Sequence, residues 1–105
     1  MTILEALQNS VNYPLSTKNV EPIVIKRGLD IDAELTTDIA NSREYELSYA
    51  DILKFVATMV NLNQGGSVTM PSASTLTGTA NAIYRKYGEA LIGEVENLKP
   101  MVEIL

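Results

Sequence analysis

The segment after Ser42 leaves this chain little choice but to build around a helix. Tyr45, Tyr49, Ile52, Leu53, Val56, Met59 and Val60 recur at three- and four-residue steps, and only a period near 3.6 brings such positions onto one face. The spacing predicts a core helix of about five turns, from Arg43 to Asn61, with one apolar stripe. Tyr45 and Tyr49 read as core rings whose hydroxyls stay wet. With 105 residues and 46% hydrophobic side chains the chain can bury one modest core, so a single folded domain is expected rather than disorder.

The flanking segments supply shorter helices. Thr2-Ile3-Leu4-Glu5 has the form of a capping box, in which hydroxyl and carboxylate answer each other's backbone amides. A helix from there to about Ser10 places Ile3, Leu4 and Leu7 on one face, and Pro14 ends it. A second helix, capped by Ser16 or Asn19, is expected to hold Pro22 in its first turn and to stop at Gly28 after barely two turns. A closing helix, capped by Ser74 or Thr75, gathers Leu76, Ala80, Ile83, Tyr84 and Tyr87 on one face and stops at Gly88. The fold class expected is therefore all-α, a small bundle of about four helices with one long central helix. A long Gly-Gly loop and an apolar C-terminal tail complete it. Residues 1–89 form the helical domain and residues 90–105 a tail or arm.

Charge is unevenly spread. The net charge is −5, which gives a phosphate-neutralising surface little to build on, so no specific nucleic-acid binding is expected. Lys26-Arg27 and Arg85-Lys86 sit where cations meet the negative ends of two helices. Between Asp30 and Asp51 seven acidic residues face only Arg43. The spacing Asp30-x-Asp32-x-Glu34 resembles the start of a calcium loop, but the sixth and twelfth positions are Leu35 and Asn41 where Gly and Glu are needed. A solvated acidic face is the reading that remains, and no metal is expected.

The chain has no Cys and no His. That removes disulfides, thiolate nucleophiles, the commonest general base and the commonest transition-metal ligand together. No phosphate-binding or dinucleotide glycine motif is present either, so neither an enzyme nor a bound cofactor is expected. The N-terminus lacks a basic and long apolar leader, and no apolar run is long enough to cross a bilayer, so a cytoplasmic location and no membrane partner are expected.

From Phe55 to Tyr84 the chain carries no charged residue. At the centre of that stretch Gly65-Gly66 permits positive φ, and Ser67-Val68-Thr69-Met70 alternates as a short extended piece does. A loop of this length is usually functional or mobile. The tail adds Leu98 and Met101 among further apolar residues, more than a small core absorbs. Gly65, Gly66, Ser67, Val68, Thr69, Met70, Leu98 and Met101 are therefore the candidate subunit or partner interface.

Several features stand in a fixed order. A short capped helix comes first, then one ending Ile25-Lys26-Arg27-Gly28-Leu29-Asp30. The long central helix and the uncharged Gly-Gly loop follow, and a helix ending Ile83-Tyr84-Arg85-Lys86-Tyr87-Gly88-Glu89 closes the set. This set resembles the small helical head–tail connector (adaptor) proteins of tailed bacteriophages, especially versions from phages and prophages of gut Bacteroides-type bacteria. The resemblance covers about residues 2–89. It implies a non-enzymatic homo-oligomer, a ring seated between the portal and the tail-completion proteins, made in the bacterial cytoplasm and carried in the virion. An uncharged loop would lie against a neighbouring subunit without burying unpaired ions. The acidic middle would suit a channel wall that repels DNA. The alternative is a small helical protein-interaction or regulatory module encoded by a prophage or its host.

Overall fold

The computed structural model describes residues 1–11, 13–62 and 73–92. Among these residues the chain forms five helices: α1 (Ile3–Gln8), α2 (Thr17–Lys26), α3 (Thr37–Ala40), α4 (Arg43–Leu62) and α5 (Ala73–Lys86). The all-α bundle around a long central helix is as the periodicity predicts. The extra element is α3, a single turn whose first amides are served by Thr36, with its hydroxyl accepting from the Ile39 amide at 3.2 Å. A turn this short carries no helical period of its own, so pattern reading passes over it.

The start of α1 is fully satisfied. The Glu5 amide donates to the Thr2 hydroxyl at 3.1 Å and the Thr2 amide donates to the Glu5 carboxylate at 2.8 Å, the expected capping box. The Ile3 and Leu4 amides donate instead to the carbonyls of Ala33 and Ile31, at 2.9 and 3.3 Å. All four amides that a helix start leaves orphaned thus find partners. The acidic segment serves α1 through its backbone while Asp30, Asp32 and Glu34 stay exposed.

Helix α2 starts after Ser16, the earlier of the two expected caps, and is longer than expected. It begins at Thr17, so Pro22 lies inside the helix rather than in its first turn, and the helix runs to 10 residues instead of barely two turns. Ser16 takes the cap position without a side-chain bond, its carbonyl accepting from Asn19 and Val20 at 3.0 and 3.3 Å. Pro22 costs the helix one internal hydrogen bond. Its exposed position lets solvent serve the orphaned carbonyl. On the opposite side Val20 and Val24 are completely buried.

Both glycine stops hold. Gly28 (φ 91°) and Gly88 (φ 73°) take the left-handed conformation. The Gly28 and Leu29 amides donate to the Ile25 and Val24 carbonyls, and the Gly88 and Glu89 amides repeat the pattern on Arg85 and Tyr84. These paired bonds form a Schellman motif at the end of α2 and another at the end of α5.

Helix α4 is more deeply embedded than one stripe predicts. Ile52, Leu53 and Val56 are buried as expected, but so are Leu47, Ser48, Ala50 and Ala57 on other faces. Helix α5 packs along α4, while α2 and α3 cover further sides. Small side chains at 48, 50 and 57 let these neighbours approach, and the Ser48 hydroxyl has no hydrogen-bond partner among the described residues. Met59, Val60, Tyr45 and Tyr49 are only half-buried. Helix α5 starts at Ala73, so Ser74 and Thr75 fall inside its first turn rather than capping it. Leu76, Ala80 and Tyr84 are buried, whereas Ile83 and Tyr87 are half-buried. After Gly88 the chain folds back beside α5, where the Asn81 side chain accepts from the Ile92 amide at 2.7 Å and donates to its carbonyl at 3.2 Å. No helix of the described residues is long and apolar enough to cross a membrane.

The burial pattern sets an order of sensitivities. Leu47→Ala and Ile52→Ala each remove a fully enclosed side chain, and each is expected to destabilise by about 2–4 kcal/mol through lost transfer energy and a residual cavity. Ile83→Ala should cost less than half as much. Denaturant melts of the three variants check this, and equal losses would mean that the buried face of α5 is wrongly assigned.

Candidate functional site

The ends of α2 and α5 converge on the middle of α4, and the two glycine caps determine what they bring. Arg27 is the cap residue of α2, and Glu89 is the third residue beyond the end of α5. Arg27 faces Asp51 on α4 in a bidentate pair, Nε to Oδ2 at 2.7 Å and Nη2 to Oδ1 at 3.0 Å. The Tyr84 hydroxyl on α5 donates to Asp51 Oδ1 at 2.6 Å. Glu89 closes the arrangement, 3.5 Å from Arg27 Nη1 and 2.9 Å from Arg43 Nη2.

The side chains of Arg27 and Asp51 are each 21% exposed, buried enough for the pair to matter more than a surface bridge. The Asp51 hydrogen bond raises the Arg27 pKa further above its ordinary range. Burial, reinforced by Asp51, pushes the Tyr84 hydroxyl far above an ordinary phenol, so it stays a donor at any physiological pH. Asp51, the last acid of the 30–51 run, therefore does not belong to a solvated acidic face. It ties three helices together. Its partners lie 24 and 33 residues away in sequence, and no local spacing announces them.

A smaller cluster lies one turn earlier on α4. Glu46 accepts from the Lys86 ammonium at 2.9 Å and from the Tyr87 hydroxyl at 2.5 Å. The Tyr87 bond, then Lys86, hold the Glu46 carboxyl below its usual range. The Lys86 ammonium also stands 5.2 Å from the centre of the Tyr87 ring.

Beside the Asp51 network opens a cleft of about 610 Å³ between α2 and α4, with Glu89 at one end. Ile23 and Phe55 supply its apolar surface, and Lys26, Lys54 and Thr58 its polar rim. Pattern reading assigned Lys26 to a helix end and passed over Lys54, because a cleft between two helices leaves no periodic mark. The Asp30-x-Asp32-x-Glu34 side chains turn to local work: Asp30 accepts from the Asp32 amide at 2.9 Å, and Glu34 lies 2.6 Å from the Met1 ammonium. Among the described residues no three potential metal ligands come together. The interface candidates Gly65, Gly66, Ser67, Val68, Thr69, Met70, Leu98 and Met101 all lie outside the described residues.

Two outcomes check these roles. Asp51→Ala should cost about 2–4 kcal/mol in a denaturant melt, because it strands a largely buried guanidinium and a buried hydroxyl together. An unchanged midpoint would make the network ornamental. For Glu46 the folded-state pKa lies below the unfolded one, so its stabilisation is full above the usual carboxylate range and drains away as pH falls through the lowered value. The stability gap between the parent and Glu46→Gln should accordingly narrow on acidification, as urea midpoints at a series of pH values would show.

Over residues 1–103 the chain matches a family of unknown function, DUF6706, and it belongs to that family. No curated protein and no solved structure matches it.

Proposed function

We propose that this DUF6706 member is a structural subunit that assembles with copies of itself into a ring, as a head–tail connector between the portal and the tail-completion proteins of a tailed phage. The observation that carries a structural rather than chemical reading is the state of the ionisable groups. Asp51, Arg27, Glu89, Tyr84, Glu46, Lys86 and Tyr87 meet where α2, α4 and α5 come together, and they spend hydrogen bonds and ion pairs on one another. Such pairing locks helices together rather than poising a reactive group.

The phage reading is supported by the resemblance in element order and in the strings around Gly28 and Gly88. A subunit of this kind is made in the bacterial cytoplasm and ends in the virion. Assembly surfaces are the uncharged Gly65–Met70 loop and the apolar tail with Leu98 and Met101. Two different surfaces on one subunit can meet head to tail and close a ring where the rotation permits. The alternative, a helical module that binds some other protein, needs no self-association, and this separates the two readings.

Val68→Asp, or deletion of residues 98–105, is expected to leave helical circular dichroism nearly unchanged and to abolish oligomers in light scattering at high concentration or on a portal ring. Variants that assemble as the parent does would sink the assigned surfaces. A parent that stays monomeric both alone and with portal would sink the connector reading itself.

A further inference from the structure

We propose that the cleft between α2 and α4 receives the C-terminal segment, residues 93–105, of a second copy of this chain. The inference rests on the ring-forming reading and adds the surface that takes the neighbour.

The cleft is positive in a negative protein. Its two carboxylates, Asp51 and Glu89, are already answered by Arg27 and Arg43. Lys26 and Lys54 remain exposed on its rim, and neither ammonium has an ion pair or hydrogen bond among the described residues. In a chain of net charge −5, two uncompensated cations over one cleft form a local field that draws in acidic groups. Beneath them Ile23 and Phe55 offer apolar surface that is only half-buried. The matching occupant is a segment that is acidic and apolar at once.

Residues 93–105 are such a segment. They carry Glu94, Glu96 and Glu103 against Lys99, interleaved with Val95, Leu98, Met101, Val102, Ile104 and Leu105. The Gly65–Met70 stretch has no charge to offer the two lysines, so it does not compete for this surface. Glutamates of the incoming segment meet Lys26 and Lys54 while its apolar side chains cover Ile23 and Phe55. Within one subunit the chain reaching Ile92 is held beside α5 by both Asn81 hydrogen bonds. Donor segment and acceptor cleft are different parts of the chain, the arrangement that lets each subunit give to one neighbour and take from another.

The absence of cysteine makes disulfide trapping in the full-length chain direct. One preparation carries Thr58→Cys, in the cleft, and a second carries Met101→Cys; they are mixed and oxidised, and the mixed dimer is measured on a non-reducing gel. A parallel mixture uses Asp38→Cys, exposed on α3, in place of Thr58→Cys. The Thr58 pairing is expected to exceed the Asp38 pairing at least about tenfold, and Lys26→Glu with Lys54→Glu should remove that excess by placing like charges together. Adding Glu96→Lys and Glu103→Lys to the tail should restore it. Equal yields from both mixtures overturn the proposal, as does a chain with both Thr58→Cys and Met101→Cys that closes only on itself. Light scattering of the parent separates the levels. An assembled parent without trapping removes the cleft assignment alone, and a parent that is monomeric at every concentration overturns the ring-forming reading with it.

Discussion

A single carboxylate holds the architecture in register. Asp51 sits on the central helix between Ala50 and Ile52, both fully buried, where an unpaired charge would be costly. Its position is tolerable because Arg27 delivers two donors from the end of α2 and Tyr84 delivers one from α5. The same requirement works in reverse. Helices that slid along α4 by one turn would strand the charge, so Asp51 selects one relative placement of α2, α4 and α5 among those that apolar packing alone would allow.

The glycine caps give that selection its geometry. A Schellman turn needs a left-handed residue, and Gly28 and Gly88 supply it without the strain a side chain would add. Each stop aims a charged neighbour inward: Arg27 precedes Gly28 and Glu89 follows Gly88. The resulting bridges bring Arg27, Glu89 and Arg43 from three parts of the chain into one chain of ion pairs. Its outer members are more exposed than Asp51 and contribute correspondingly less. The Glu46 cluster adds a second, shallower fastening between α4 and α5.

This pairing of Asp51, Glu46, Tyr84 and Tyr87 positions helices. It also explains how a protein rich in acid can own a positive cleft. Once Asp51 and Glu89 are answered internally, Lys26 and Lys54 alone give the groove its sign. Folding, rather than composition, sorts the charges into a locally cationic surface.

Much of this was legible in the residues themselves. Period-3.6 spacing announces α4, Thr2 and Glu5 announce the start of α1, and Gly28 and Gly88 announce two helix ends, because each of these signals acts within a few residues of chain. Short-range signals become ambiguous where several neighbouring residues can serve equally. That is why α2 takes Ser16 rather than Asn19 as its cap and so encloses Pro22, why α5 starts ahead of the Ser74-Thr75 pair, and why the one-turn α3 left no trace. What only the tertiary structure decided is the fate of the central helix and its acid. A stripe of spaced apolar residues describes one buried face, whereas Leu47, Ser48, Ala50 and Ala57 became buried because α2, α3 and α5 surround α4. Asp51 is the last of the seven acids between residues 30 and 51 by sequence and the junction of three helices in space. The reason is physical: hydrogen-bond partners and burial are set by which distant segments arrive, and nothing in the local alternation of polar and apolar residues carries that information.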